Sequence, residues 1–221
     1  MQKPHERIND ILLGPLERPA LKWLASKMPE FMTPDKLTLL GLFGSLLTGW
    51  SYYMTNYDNN YLWLASFGLV INWFGDSLDG TLARYRHIER PRYGFFIDHT
   101  LDSISMIFIA FGIGLSPYAQ FEFVLMALLS YFLMSILVYI RTYIQGVFRL
   151  SYYKIGPTEV RVFIIILNTV LYYFGAFPFI WGRRIITVID AAAILLAAGL
   201  FVIYIATVII EGQKLKAEEK K

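Results

Sequence analysis

The chain has 221 residues, 56 % of them apolar and 17 % aromatic, a composition too apolar for an ordinary soluble domain of that length. Its net charge of +3 sits on the tails and on alternate loops, a distribution that membrane topology and anionic lipid explain better than nucleic acid does, so no nucleic-acid partner is expected. Cysteine is absent, which excludes disulfides and thiolate metal sites.

Residues 1–30 form a first segment. No cleavable secretory signal is expected there, because the first apolar stretch is broken by Pro15 and Pro19. From Pro15 to Met28, the residues Leu16, Ala20, Trp23, Leu24 and Met28 recur at helical spacing with Arg18, Lys22 and Lys27 between them. That pattern fits an amphipathic helix in the headgroup layer, and equally a plain connecting helix. Residues 31–212 hold six apolar runs, at roughly 34–54, 61–83, 94–114, 119–143, 158–177 and 185–211, each near the ~20 residues that a helix needs to cross ~30 Å of hydrocarbon. Residues 213–221 make a charged tail. The fold class read from this is all-α integral membrane: one six-transmembrane helix bundle with an N-terminal interfacial amphipathic helix and no soluble module.

Positive charge near span ends stays cytoplasmic. Arg84, Arg86, Arg90 and Arg92 follow span two, Arg149 and Lys154 follow span four, and Lys214 and Lys216 lie in the tail. Only Arg183 and Arg184 break the pattern. Both termini and the turns after spans two and four are therefore placed on the cytoplasmic side.

Ionisable residues inside spans are expensive, and most of the intramembrane acid falls in one stretch. It runs Gly75-Asp76-Ser77-Leu78-Asp79-Gly80-Thr81-Leu82-Ala83-Arg84, then a basic turn, then Gly94-Phe95-Phe96-Ile97-Asp98-His99-Thr100-Leu101-Asp102-Ser103. Asp76 and Asp79 are three apart and Asp98 and Asp102 four apart, so each pair projects from one face of its helix. A hairpin through the turn at 85–93, with Gly94 letting the chain re-enter the membrane, brings the two faces together. Four carboxylates at low dielectric need counter-charge. Oxygen-only ligands favour Mg²⁺ or Mn²⁺, with Ca²⁺ a further candidate, and two ions about 3.5–4 Å apart can clamp a transferring phosphoryl group. Gly80 and Ala83 continue the acidic stripe and allow close approach of a ligand or a helix. Arg84 can pair with phosphate through its planar fork. Gly75 and Gly94 taken singly, and Arg86, Arg90 and Arg92, have the plainer readings of helix packing and topology.

The stretch from Asp76 to Asp102 resembles the signature of the CDP-alcohol phosphotransferases, D-x-x-D-G-x-x-A-R, a spacer, then G-x-x-x-D-x-x-x-D. Every fixed position is filled, by Asp76, Asp79, Gly80, Ala83, Arg84, Gly94, Asp98 and Asp102. Two departures stand out. The spacer is one residue longer than usual, and Pro34-Asp35-Lys36-Leu37-Thr38 carries Asp35 where the family has Asn. The resemblance implies a helical bundle with a polar cavity open to the cytoplasmic leaflet, in a homodimer. Asp76, Asp79, Asp98 and Asp102 match the family's metal ligands, with Asp102 also the usual general base. Asp79, Gly80, Ala83 and Arg84, with Thr38, match the part that receives the cytidine nucleotide. The expected partners are a CDP-alcohol donor, an alcohol or lipid acceptor and membrane lipids, and the reaction releases CMP.

His99, three residues before Asp102, is an alternative base. The run from Phe96 to Ser103 resembles the choline and ethanolamine phosphotransferase version of the motif, which leans the donor toward a CDP-amino-alcohol and the acceptor toward a diacylglycerol-like lipid. Phosphatidyl transfer from CDP-diacylglycerol to glycerol phosphate, inositol phosphate or serine stays open. A second polar cluster, Arg141, Arg149 and Lys154 followed by Gly156-Pro157-Thr158-Glu159-Val160-Arg161, lies on the same side. Glu159, Arg161 and Arg141 are candidates for the acceptor or headgroup pocket, against a plainer reading as positive-inside charges with a Glu159–Arg161 neighbour pair. Membrane prenyltransferases share the chemistry but not the spacing or helix number. A cation channel or transporter is the rival from another class, weakened by acids that bunch near one membrane face.

Overall fold

A computed structural model describes residues 6–8, 12–145, 147–149 and 156–219. Lys154 lies outside the described residues, as does the side chain of Arg149. The described chain is built from helices α1 (Gly14–Lys27), α2 (Pro34–Met54), α3 (Tyr61–Tyr85), α4 (Pro91–Gly114), α5 (Phe121–Gln145), α6 (Pro157–Phe174) and α7 (Val188–Glu218). Among the described residues, sheet is confined to a parallel contact of Glu6–Ile8 with Val147–Arg149 and a small hairpin that pairs Phe179–Trp181 with Arg184–Ile186. The hairpin turns at Gly182, whose φ of +62° suits a residue without Cβ.

Helix ends follow from local chemistry. Thr33 caps α2 by accepting from the Lys36 amide, with Pro34 pre-set for the first turn. Thr187 and Asp190 form a reciprocal capping box at the start of α7. Pro91 opens α4, so Gly94 lies inside its first turn rather than at a re-entry hinge, and the left-handed residue of the preceding loop is His87. α7 continues to Glu218 and carries Lys214 and Lys216 of the charged tail as helix.

Helices α4, α5, α6 and α7 are long and apolar enough to cross a membrane. α2 and α3 coincide with the first two expected spans and have 21 and 25 residues, about 31 and 37 Å at 1.5 Å per residue. They are less apolar because their packing faces are made of small and polar residues. A Cβ on Gly44 would stand 2.4 Å from the Asn72 amide nitrogen, and one on Gly75 would stand 2.3 Å from that of Gly41. On another side of α2, a Cβ on Gly112 of α4 would lie 2.4 Å from Gly49 Cα. Backbones so close leave no room for side chains, which is how small residues seat helices on one another.

α2 is thus the common partner of α3 and α4. The remaining principal contacts join α5 to α4 and α7, α6 to α3, and α1 to α3. Leu21 and Ala25 of α1 bury with Leu37, Leu78 and Leu82, and buried Glu17 accepts from Trp73 Nε1 at 2.7 Å and from the Thr158 hydroxyl at 2.9 Å. Leu16 and Trp23, on the other side of α1, stay exposed. At the far end, Tyr52 donates to Asn168 at 2.6 Å and Asn168 donates to Ser66 at 3.0 Å, linking α2, α3 and α6.

Candidate active site

The site forms where the motif-bearing ends of α3 and α4 meet across the narrow, glycine-lined face of α2. A small cavity, open to the outside, is lined by Thr38 and Gly41 of α2, Asn72 and Asp76 of α3, and Asp98, Asp102 and Ser105 of α4. Asp76 of the first acidic pair and both members of the second line it, whereas Asp79 is not among the lining residues, and the hairpin arms are not brought there by direct packing on each other. Both arms dock on α2, and the space between them is the cavity.

Each acid has its own environment. Asp79 accepts a hydrogen bond from the Thr38 hydroxyl at 2.6 Å and a short one from the Gly80 amide, and the charges of Asp76 and Asp102 both act on it. Asp76 is paired with Arg161 of α6 at 2.5 Å. Arg161 also donates through Nε to Asn72 at 2.7 Å, and Asn72 in turn donates to Ser45 at 2.8 Å and to the Gly41 carbonyl at 3.0 Å. A chain of polar contacts therefore fixes one wall of the cavity from α6 through α3 to α2. In α4, His99 Nδ1 lies 3.8 Å from Asp98 and 3.9 Å from Asp102, too far for hydrogen bonds. One ligand atom from each of Asp98, His99 and Asp102 lies within 4.8 Å of the others, a grouping that could hold a metal ion. Phe95 meets the His99 ring edge-on at 4.2 Å between centroids, and Tyr139 of α5 lies against it at 5.6 Å.

The other expected residues are placed more variously. Arg84 lies over Gly80, its guanidinium 3.2 Å from where a Gly80 Cβ would be, and donates to Thr81 at 3.2 Å. Asp35 is ion-paired with Arg90, whose guanidinium also covers the Tyr93 ring at 4.4 Å. Arg86 donates to the carbonyls of Met28, Pro29 and Met32 at 2.6–2.9 Å, fastening the α1–α2 connection. Glu159 does not pair with Arg161. It accepts from the Gly156 amide at 2.9 Å and the Leu13 amide at 2.7 Å, while Arg161 turns into the cavity wall. Arg141 pairs with Glu211 of α7 at 2.8 Å. A Cβ on Gly94 would meet open space.

Sequence reasoning overlooked Asn72, Ser105 and Glu17. Asn72 precedes Asp76 by one helical turn and Ser105 follows Asp102 by three residues, so an extension of the acidic stripe along each helix face finds both. Glu17 was hidden among the charges of an amphipathic helix.

The CDP-alcohol phosphatidyltransferase family pattern matches residues 31–210. The chain belongs to that family. With four helices of membrane-crossing length and a membrane-bound family, this CDP-alcohol phosphatidyltransferase relative is an integral membrane protein. It is 28 % identical to cholinephosphotransferase 1 of Gallus gallus over 79 % of the chain and 53 % of that protein. To the bovine cholinephosphotransferase 1 it is 30 % identical, over 70 % of the chain and 39 % of that protein. To an archaetidylinositol phosphate synthase of Pyrococcus horikoshii it is 34 % identical, over 47 % of the chain and 52 % of that protein. The chain spans about half the length of these curated relatives or less.

Proposed function

We propose that this protein makes phospholipid by moving a substituted phosphate group from a CDP-alcohol donor to an alcohol or lipid acceptor, with release of CMP. The reading rests on one observation, the cavity that Asp76, Asp98 and Asp102 line together from two different helices in a chain of this family. The donor set fits a hard divalent cation, because carboxylate oxygens dominate it and Asp98, His99 and Asp102 already lie within ligating reach of one another. Asp76, Asp79, Asp98 and Asp102 would hold Mg²⁺ or Mn²⁺ as a two-ion site. Bound there, such ions neutralise the donor's diphosphate and the charge that develops on departing CMP.

The chain's own groups do the rest. The missing side chain at Gly80 gives the Arg84 guanidinium room to lie over the helix, from where it swings to the donor's phosphate and, with the small Ala83, opens space for the nucleotide. The Thr38 hydroxyl keeps Asp79 in one orientation. As the acceptor oxygen bonds to the phosphorus and the phosphorus–oxygen bond to CMP breaks, the hydroxyl proton passes to a base on α4. His99, pinned between Phe95 and Tyr139, takes that proton, and Asp102 steadies the imidazolium. Arg161 faces the acceptor side of the cavity, while Glu159 and Arg141 shape that side from the α6 entry and the α5–α7 contact. Around this centre, α2 to α7 form six spans with both termini and the cavity mouth on the cytoplasmic side. α1 lies in the headgroup layer with Leu16 and Trp23 in lipid, and the protein works as a homodimer.

The match to an archaetidylinositol phosphate synthase favours a second reading, phosphatidyl-type transfer from CDP-diacylglycerol to a polar alcohol. Purified protein is incubated with Mn²⁺ and a panel of CDP-alcohols and acceptors, and CMP and the lipid product are measured. Release of CMP that needs metal and is lost in Asp98→Asn is expected. Absence of release across the panel refutes the transferase reading and revives ion transport.

A further inference from the structure

We infer that Glu17 of α1 is a positioning residue for the reaction: it clamps α3 to α6 one helical turn from the Asp76–Arg161 pair and so sets where Arg161 stands in the cavity wall. The inference deepens the transferase reading above and rests on it for the step that Arg161 serves. A single oxygen of Glu17, Oε1, accepts from Trp73 Nε1 of α3 at 2.7 Å and from the Thr158 hydroxyl of α6 at 2.9 Å. Trp73 comes three residues before Asp76, and Thr158 three before Arg161. The carboxylate therefore bridges the same two helices that the ion pair bridges, a turn away from it. A second tie runs beside it, from the Leu13 amide ahead of α1 to Glu159 of α6 at 2.7 Å.

Where these ties fall on α6 gives them their weight. The apolar side of α6 packs through Ile164, Leu167 and Leu171, and its buried residues, Asn168 and Leu171, lie toward its far end. The first turns, which carry Arg161, meet their neighbours through polar contacts: Thr158 with Glu17, Glu159 with the Leu13 amide, and Arg161 with Asp76 and Asn72. Burying a carboxylate is costly unless donors meet it, so Glu17 is held to the one geometry in which Trp73 and Thr158 both reach it. The docking of α1 does not depend on that carboxylate, because Leu21 and Ala25 bury against Leu37, Leu78 and Leu82. Removing it loosens the entry of α6 while α1 stays in place, and Arg161 loses its fixed stance on the acceptor side of the cavity.

The test follows CMP release by the full chain from CDP-choline with a short-chain diacylglycerol as acceptor, and reads the acceptor KM, which a general loss of folded enzyme does not move. Glu17→Ala is expected to raise that KM about tenfold. Glu17→Gln keeps an oxygen that accepts from Trp73 and Thr158, and is expected to restore the wild-type value. Added to Arg161→Gln, Glu17→Ala is expected to raise KM no further, because the group it positions is already gone. A Glu17→Ala variant that lowers kcat alone, a Gln variant that restores nothing, or an equal rise in both backgrounds overturns the inference. A second measurement does not need turnover. The chain has no cysteine, so nitroxide labels on Tyr85→Cys of α3 and Phe163→Cys of α6, both exposed, report the separation of the two helices by double electron–electron resonance. Glu17→Ala is expected to broaden or lengthen that distance distribution and Glu17→Gln to keep it. If the wild type releases CMP from no CDP-alcohol, the transferase reading falls and the distances decide the clamp by themselves: an unchanged distribution in Glu17→Ala overturns it, and a broadened one supports it.

Discussion

Replacing Arg161 with Gln exposes how the acidic site is held together. Arg161 and Asp76 meet at 2.5 Å with side chains only 13 % and 21 % exposed. Removing the guanidinium leaves a largely buried carboxylate uncompensated beside two others, a loss of about 3–5 kcal/mol. At about 2–4 °C per kcal/mol for a chain of this size, Arg161→Gln in chelator is expected to unfold some 6–20 °C below wild type. Adding Asp76→Asn removes the orphaned charge. The double variant is therefore expected to be more stable than Arg161→Gln alone, with a coupling of about 1–3 kcal/mol. Mn²⁺ offers a second check. A divalent ion held by Asp76 replaces the missing counter-charge, and at a hundred times its dissociation constant it contributes about 2.7 kcal/mol. Differential scanning fluorimetry of the detergent-solubilised protein, with and without Mn²⁺, reads all of these. Equal melting temperatures for Arg161→Gln and Arg161→Gln/Asp76→Asn in chelator refute the reasoning, because the pair would then carry no energetic link.

Gly75→Ala places a methyl 2.3 Å from the Gly41 nitrogen and 2.4 Å from the Leu37 carbonyl. It is expected to cost about 1–3 kcal/mol and, by pushing α3 and its Asp76 off α2 by a fraction of an ångström to one ångström, up to about a hundredfold in CMP release. Arg86→Ala frees the carbonyls that close the α1–α2 connection. Limited proteolysis is expected to cut there sooner, whereas cleavage at the wild-type rate would deny the clamp. His99→Gln is expected to lower kcat by about 10²–10⁴ and to leave Mn²⁺ affinity within tenfold of wild type. Parallel loss of metal binding would make His99 a ligand instead of the base.

The sequence carried the acidic centre plainly, because charge inside an apolar span is costly and four acids at helical spacing have few structural uses. It located α2 to α7 for the same reason, as each is a long run bounded by prolines, charges or caps. It did not reveal that α2 wedges between α3 and α4. That arrangement depends on which glycine faces meet, and Gly41, Gly44 and Gly49 lie on one helix with nothing in their spacing to name the partner of each. Partner choice for the basic residues was equally hidden. Glu159 and Arg161 are two apart and so point to different sides of α6, which turns one to the α1 entry and the other to Asp76. The β-hairpin carrying Arg183 and Arg184 was not foreseen, since three-residue strands leave almost no periodic signal.

The central claim is that carboxylates from α3 and α4 act on the same divalent cations. Electron paramagnetic resonance titration of Mn²⁺ into wild type, Asp76→Asn and Asp98→Asn measures this directly. Weakened Mn²⁺ binding in both variants is predicted, since each helix supplies ligands. Wild-type affinity in Asp76→Asn, with loss confined to Asp98→Asn, would contradict a shared site and reduce it to the ligands of α4 alone.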